Sequence, residues 1–148
     1  MKKNLLVEKD TNELIARALT LTPDNKGHWG NMSVTTMLKH CNVVNTAILS
    51  YDQAPKAPTI KQRFLLVGLY LMKELPKSVK TRPEYVNFKE DELEFAHEKN
   101  IFMQTIAEYI DYPKTLTAIH PVFGPLNTKE WGRFGWLHMD HHLRQFDV

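Results

Sequence analysis

The run Trp131-Gly-Arg-Phe-Gly-Trp-Leu-His138-Met-Asp-His141-His142-Leu-Arg-Gln145-Phe146 lies near the end of the chain and contains three of its seven histidines. Successive residues of a helix are rotated by about 100°, so side chains four residues apart lie almost in line. His138 and His142 therefore share one helical face. Two imidazoles with this spacing on a buried face are typical of one half of a metal site. On the opposite side we expect the charged residues to face water: Arg133, Asp140 and Arg144.

The composition is that of an ordinary globular domain. Of the 148 residues, 43% are hydrophobic and 24% are charged, and this length suits a single domain over residues 1–148. The net charge of +2 is too small to indicate a nucleic-acid partner. A single cysteine excludes an internal disulfide and fits a reducing compartment. Neither a signal peptide nor an apolar run of about 20 residues is present, so we expect a cytoplasmic protein.

Five helices are predicted from their caps and apolar stripes. They run from the capping box at 10–13 to before Pro23, from Ser33 to about Tyr51, from Thr59 to about Leu75, from near Lys89 to before Pro113, and from the capping box at 127–130 to the end of the chain. No strand alternation or internal repeat is visible. The sequence therefore predicts an all-α domain, a four-helix bundle with a short additional N-terminal helix.

The third predicted helix is apolar on almost every side after Arg63. Such a helix is either fully buried or lies against a second subunit. We expect it to form the contact of a homodimer.

The second predicted helix brings a further histidine to the interior. His40 lies on a face with several apolar residues, whereas Asn42, Asn45 and Leu49 are expected to point away. A lone inward histidine is more often a hydrogen-bonded core residue than a ligand, but two neighbouring buried imidazoles must both find partners. The spacing alone leaves open a three-histidine metal site and a metal-free cluster. Cys41 is expected to be a buried apolar residue and not a ligand.

Two segments resemble the DinB-like superfamily of bacterial four-helix proteins. Residues 29–40 are similar to the segment that opens the second helix of that superfamily, and the pattern HxxHHxxQ at 138–145 is similar to its closing signature. The HPxFG loop at 120–124, followed by Glu130-Trp-Gly132, resembles one largely uncharacterised branch. The resemblance covers about residues 11–148. It implies an up-down-down-up bundle, frequent dimerisation and one divalent metal ion held by three histidines.

Carried over to this chain, the resemblance implies that the metal ligands are His40, His138 and His142. His141 is a competing ligand, because it lies about 60° from His138 around the helix, or else it donates a hydrogen bond at the rim of the site. Gln145 lies one turn beyond His142, where it can hold a ligand ring by a hydrogen bond or cap another buried polar group.

Two further residues are assigned to the surroundings of the site. His120 precedes a proline, so its backbone is extended, and it either reaches the mouth of the site or is exposed. Trp29 begins the first matching segment and is grouped with the pocket. His97, on the fourth predicted helix, is expected to be exposed.

Three imidazoles leave a metal ion with open coordination positions, as in catalytic and not structural zinc sites. Nitrogen-only ligation admits zinc, nickel or iron. Characterised relatives include metal-dependent transferases and isomerases that use low-molecular-weight thiols, which implies an S-transferase-like or hydrolase-like enzyme that activates a thiol or water for attack on a small electrophile. No general base can be assigned, so the catalytic residues are unknown. The alternative is a non-catalytic metal-binding or stress-response bundle.

Overall fold

The computed structural model describes residues 2–77 and 81–148. The described chain is mostly helical, so the predicted helical class is confirmed, and it adds one small antiparallel hairpin that the sequence patterns did not indicate. The helices are α1 (Glu8–Leu19), α2 (Val34–Leu49), α3 (Ile60–Leu71), α4 (Phe95–Ala107) and α5 (Thr128–Gln145). Two short 3₁₀ turns cover Pro83–Tyr85 and Glu90–Glu92, and the hairpin pairs β1 (Ile119–His120) with β2 (Gly124–Pro125).

Four of the helices surround the core. Helix α2 packs against α4 and α5, and α1 packs against the same two helices. The interior is filled by large apolar side chains that are fully buried, among them Leu14, Met37, Phe102, Tyr109 and Leu137. The first helix is therefore an integral part of the packed set and not a short addition to it.

Helix α3 lies outside this packed set. Only Leu69 of its residues is buried, whereas Ile60, Phe64 and Leu71 are each more than 70% exposed. The alternative that this apolar helix is fully buried within its own chain is therefore wrong.

Three of the predicted helix starts are confirmed and two are wrong. Side chains of Ser33, Thr59 and Asn127 cap α2, α3 and α5 as expected. Helix α1 begins earlier, at Glu8, without a side-chain cap, because the carboxylate of Asp10 instead accepts a hydrogen bond from the Asn4 N–H. Helix α4 begins only at Phe95, where the Glu94 side chain accepts from two backbone N–H groups, and a separate 3₁₀ turn occupies the residues before it.

The polar side of α2 is buried, which corrects the expectation that Asn42, Asn45 and Leu49 point away from the core. The Asn42 amide donates to the Glu98 carboxylate at 2.8 Å, and the Asn45 side-chain oxygen accepts from the Tyr109 hydroxyl at 3.3 Å. Because these partners lie on or next to α4, the two amides join α2 to α4. A buried amide is tolerated where a partner satisfies it.

The charged side of α5 is largely covered, so the expectation that it faces water is wrong for Arg133 and Asp140, whereas Arg144 is partly exposed. Arg133 and Asp140 are less than 10% exposed. Asp140 pairs with Arg17 of α1 at 2.7 Å and with Arg144 at 2.9 Å. Arg133 donates to the carbonyl oxygens of Lys3 and Met72. These contacts hold the face of α5 that lies opposite its histidines, and they thereby fix the direction of the histidine face.

None of the described helices combines the length and the apolar character that a membrane span requires.

Close packing of the N-terminal segment on α5 requires a glycine at position 132. A Cβ atom there would collide with Asn4 Oδ1 and lie 2.9 Å from Leu6 Cγ. Asn4 cannot easily move away, because its side chain donates to the Lys129 carbonyl and accepts from the Leu6 N–H. We expect Gly132→Ala to lower the free energy of unfolding by about 1–2 kcal/mol, measured by urea denaturation.

The matched control is Gly68→Ala in α3, where a Cβ would meet no atom of its own chain within 4 Å, measured at a protein concentration low enough for the chain to be monomeric. Its expected effect is a gain of about 0.5–1 kcal/mol from helix propensity alone. Equal effects of the two substitutions would contradict the packing described for the N-terminal segment.

Candidate metal centre

Three histidine rings from two helices converge at one point in the interior. His40 comes from α2, and His138 and His142 come from α5. The Nε2 atom of His138 lies 3.1 Å from Nε2 of His40 and 3.1 Å from Nε2 of His142. His40 and His142 are buried, and His138 is partly buried.

The outer nitrogens of two of these rings fix where their protons lie. His40 Nδ1 is 2.7 Å from the Tyr85 carbonyl oxygen, which can only accept, so this nitrogen carries a proton. His142 Nδ1 is 3.0 Å from Gln145 Oε1. Gln145 donates through its Nε2 to the Trp29 carbonyl at 2.6 Å, so its Oε1 is the acceptor and His142 Nδ1 also carries a proton. In their neutral forms, His40 and His142 therefore direct Nε2 lone pairs at His138.

A single proton on His138 cannot satisfy both of these lone pairs. If His138 Nε2 is protonated it can donate to one neighbour, and the other lone pair remains without a partner. If His138 Nε2 is unprotonated, three lone pairs face each other. A buried polar atom without a partner costs about 1–3 kcal/mol. A cation at the centre would accept all three lone pairs at once, with the proton of His138 on Nδ1, which is buried without a partner among the described residues.

The distances suit a small divalent ion. Zinc binds imidazole nitrogen at about 2.0–2.1 Å, so two nitrogens at tetrahedral angles around it lie roughly 3.4 Å apart. The two measured separations of 3.1 Å are close to this value, and the candidate ligand atoms all lie within 4.8 Å of one another. The three buried histidines can therefore hold a metal ion.

The electrostatic surroundings keep all three rings neutral at pH 7. Burial lowers the pKa of His142 to about 3, and the neighbouring His40 adds to this effect. Burial also lowers the pKa of His40, and burial together with the adjacent imidazoles holds the pKa of His138 well below 6.5. The neutral imidazole is the form that binds a metal ion.

The competing histidine lies beside the cluster and not within it. The His141 ring centroid is 5.1 Å from that of His142 and 5.6 Å from that of Trp29. Its Nδ1 atom is buried and has no hydrogen-bond partner among the described residues. The structure thus brings His40, His138 and His142 together and leaves His141 at the edge with Trp29.

An aromatic wall covers the other side of His138. Phe134, one turn earlier on α5, stacks on the His138 ring with the centroids 5.6 Å apart and the planes tilted by 20°. His120 of the hairpin packs edge-on against Phe134 at 4.4 Å. His120 is partly buried. The structure therefore places this loop histidine against the wall of the site.

Two other residues bear on the site. Tyr85, whose carbonyl fixes the His40 ring, was not predicted, because a backbone acceptor on a distant turn leaves no side-chain signal in the sequence. Cys41 is buried, as expected, and its thiol pKa is raised by burial. Its sulfur contacts Met37, and it does not belong to the group of converging ligand atoms. His97 is exposed, as expected.

Comparison with known proteins gives one match. The model of a family described as "Protein of unknown function (DUF1569)" matches residues 1–148, and this is a DinB-like family. No curated protein and no solved structure matches the chain.

Proposed function

The chain belongs to the DUF1569 family, and we propose that it is a DinB-like protein that binds one divalent metal ion through Nε2 of His40, His138 and His142. The observation that carries the proposal is the convergence of two fixed lone pairs on a third imidazole, 3.1 Å from each. We further infer that α1, α2, α4 and α5 form the up-down-down-up bundle of the superfamily. In this arrangement the additional helix is α3, which lies in the long connection between α2 and α4.

The hydrogen bonds behind the ligands support metal binding. In most metal sites a ligating histidine donates its other N–H to a carbonyl or carboxylate, which fixes the ring and makes it a better ligand. His40 has such a partner in the Tyr85 carbonyl and His142 has one in Gln145. Gln145 is itself fixed by its bond to the Trp29 carbonyl, so two of the three ligands are oriented before any ion binds.

We propose in addition that the protein is a metal-dependent enzyme of the S-transferase or hydrolase type, with zinc, nickel or iron as the ion. An ion with three protein ligands supplies an open coordination position at which the pKa of a bound water or thiol falls. His138 is the one ligand of the three that is partly exposed as a residue, although its Nδ1 atom is buried, and we place the substrate beside its ring. Phe134, the aromatic wall of the site, then lies beside the reacting group, and His141 and Trp29 form part of the rim.

The first test is the metal content of the purified protein. We expect about one divalent ion per chain by elemental analysis, and its loss in His142→Ala. Gln145→Ala, which removes only the support of His142, should weaken binding by about 10–100-fold.

The control is His97→Ala, which removes an exposed histidine of α4 and should keep the ion. If the wild-type protein contains no ion after supply of zinc, nickel or iron, the cluster is a metal-free one and the proposal is wrong. If His142→Ala and His97→Ala keep the ion equally, the ligand assignment is wrong.

The second test addresses catalysis. We expect the metal-loaded protein to accelerate the reaction of at least one low-molecular-weight thiol, or of water, with a chromogenic electrophile. Removal of the metal and His142→Ala should both abolish this acceleration, because each removes the activating ion, whereas His97→Ala should retain it. Metal binding without turnover across the panel would favour the non-catalytic metal-binding protein.

We also propose that the exposed stripe of α3 contacts a second copy of the chain. Ile60, Phe64, Val67 and Leu71 follow the spacing of one helical face, and each is more than half exposed. Contiguous apolar patches of this kind are rare on monomers. A second copy supplies an identical apolar stripe, and twofold pairing of identical patches is the commonest oligomeric arrangement.

Sedimentation should therefore detect a dimer at micromolar concentration. We expect Phe64→Lys to convert it to a monomer, because the substitution places a charge in the middle of the apolar contact. Gln104→Lys, which adds the same charge at an exposed position of α4, should leave the dimer intact. A wild-type protein that sediments only as a monomer would overturn this proposal.

A further inference from the structure

We infer that His120 is a ligand-binding residue, whose Nε2–H donates a hydrogen bond to an oxygen atom of the molecule that occupies the three-histidine centre. The inference rests on the proposed function, because it requires a molecule bound there. It also narrows the class of that molecule. The molecule carries a metal-binding atom at one end, an oxygen acceptor at the other, and a short apolar spacer between them.

The backbone of the hairpin fixes the protonation of the His120 ring. Its Nδ1 atom lies 3.1 Å from the Val122 N–H and 3.2 Å from the Phe123 N–H. Backbone N–H groups can only donate, so Nδ1 must present its lone pair to them. The proton of the neutral ring is therefore on Nε2, which makes that atom a hydrogen-bond donor and not a base.

The donor is open to a ligand. Both hydrogen bonds of His120 within the described residues involve Nδ1. Among the described residues, several side-chain nitrogen and oxygen atoms are fully buried and lack a hydrogen-bond partner, and His120 Nε2 is not one of them. Its N–H has no hydrogen-bond partner among the described residues, and the ring is only partly buried, so this donor is available to a bound molecule. Burial of the ring lowers the pKa of His120 to about 4, which keeps the ring in the neutral donor form at pH 7.

The donor lies one aromatic ring away from the candidate metal ligands. The His120 centroid is 4.4 Å from Phe134, and Phe134 is 5.6 Å from His138. Because both rings contact Phe134, His120 and His138 are close enough together for one small molecule to reach both. Because Phe134 contacts both rings, a ligand that reached from the cluster to the His120 N–H would pass close to this apolar side chain.

A carboxylate is the oxygen acceptor that such a donor favours most, since hydrogen bonds to a charged group are roughly twice as strong as neutral ones. Short mercaptocarboxylates combine the three features, with a thiolate for the metal, a methylene spacer and a terminal carboxylate.

Two substitutions separate the ligand-binding role of His120 from its role in the hairpin. His120→Asn keeps an acceptor for the Val122 and Phe123 N–H groups, as asparagine does in loops, but removes the distal donor. His120→Gln keeps a distal amide donor and loses the acceptor near the backbone. His97→Asn is the matched control on an exposed histidine.

The experiment uses the full chain loaded with cobalt(II), whose thiolate complexes absorb in the near ultraviolet. Affinities are measured for mercaptoacetate, 3-mercaptopropionate and 4-mercaptobutyrate, and for the alkyl thiols of the same chain length. We expect at least one mercaptocarboxylate to bind about ten-fold more tightly than its alkyl partner. This advantage should disappear in His120→Asn, survive in part in His120→Gln and be unchanged in His97→Asn, with equal cobalt content throughout.

The outcomes distinguish this inference from the proposed function. Absence of cobalt binding would overturn the proposed function and this inference with it. Thiolate binding with no carboxylate advantage, or an advantage that His120→Asn retains, would overturn this inference alone. Nitrogen-15 NMR of the ring tautomer is an independent measurement, and a proton on Nδ1 of His120 would overturn the inference whatever the thiol titrations give.

Discussion

In the interior of the protein, the Nε2 atoms of His40 and His142 both lie 3.1 Å from Nε2 of His138. His40 and His142 each keep a proton on Nδ1 and donate it in a hydrogen bond, to the Tyr85 carbonyl and to Gln145 Oε1. In the neutral rings Nε2 is therefore unprotonated, and both Nε2 atoms face His138. A protein interior normally pairs each buried acceptor with a donor. Here the surrounding hydrogen bonds leave two Nε2 lone pairs facing one imidazole that cannot donate to both, and a divalent ion would bind these lone pairs.

The opposite face of α5 explains how the arrangement is kept in place. The Arg17–Asp140 pair and the bonds of Arg133 to the Lys3 and Met72 carbonyls hold the helix from behind. Burying these charges would be costly without partners, and each has them. Because these contacts fix the rotation of α5 about its own axis, His138 and His142 face His40 of α2. Ligands held on rigid helices in this way are pre-organised for binding.

The sequence alone revealed the periodic features and missed the features that depend on partners distant in the chain. Helical spacing correctly indicated that His138 and His142 share a face and that His40 points inward, and the caps at Ser33, Thr59 and Asn127 were readable from local chemistry. The burial of Asn42 and Asp140 was not readable, because a polar residue becomes a core residue only when another element brings it a partner. The Tyr85 contact could not be predicted from the sequence at all, because its acceptor is a backbone carbonyl that any residue type could have supplied.

His120 differs from His40 and His142 in which ring nitrogen carries the proton of the neutral ring. In His40 and His142 the groups facing Nδ1 are oxygen acceptors, so Nε2 is left with its lone pair and can bind a cation. In His120 the groups facing Nδ1 are backbone donors, so Nε2 keeps the proton and can bind an anion or a carbonyl oxygen. Lowered pKa values are common to both cases and do not distinguish them. The partner of Nδ1 therefore decides whether Nε2 of the neutral ring offers a lone pair or a proton, and Phe134 contacts both His120 and His138 of the cluster.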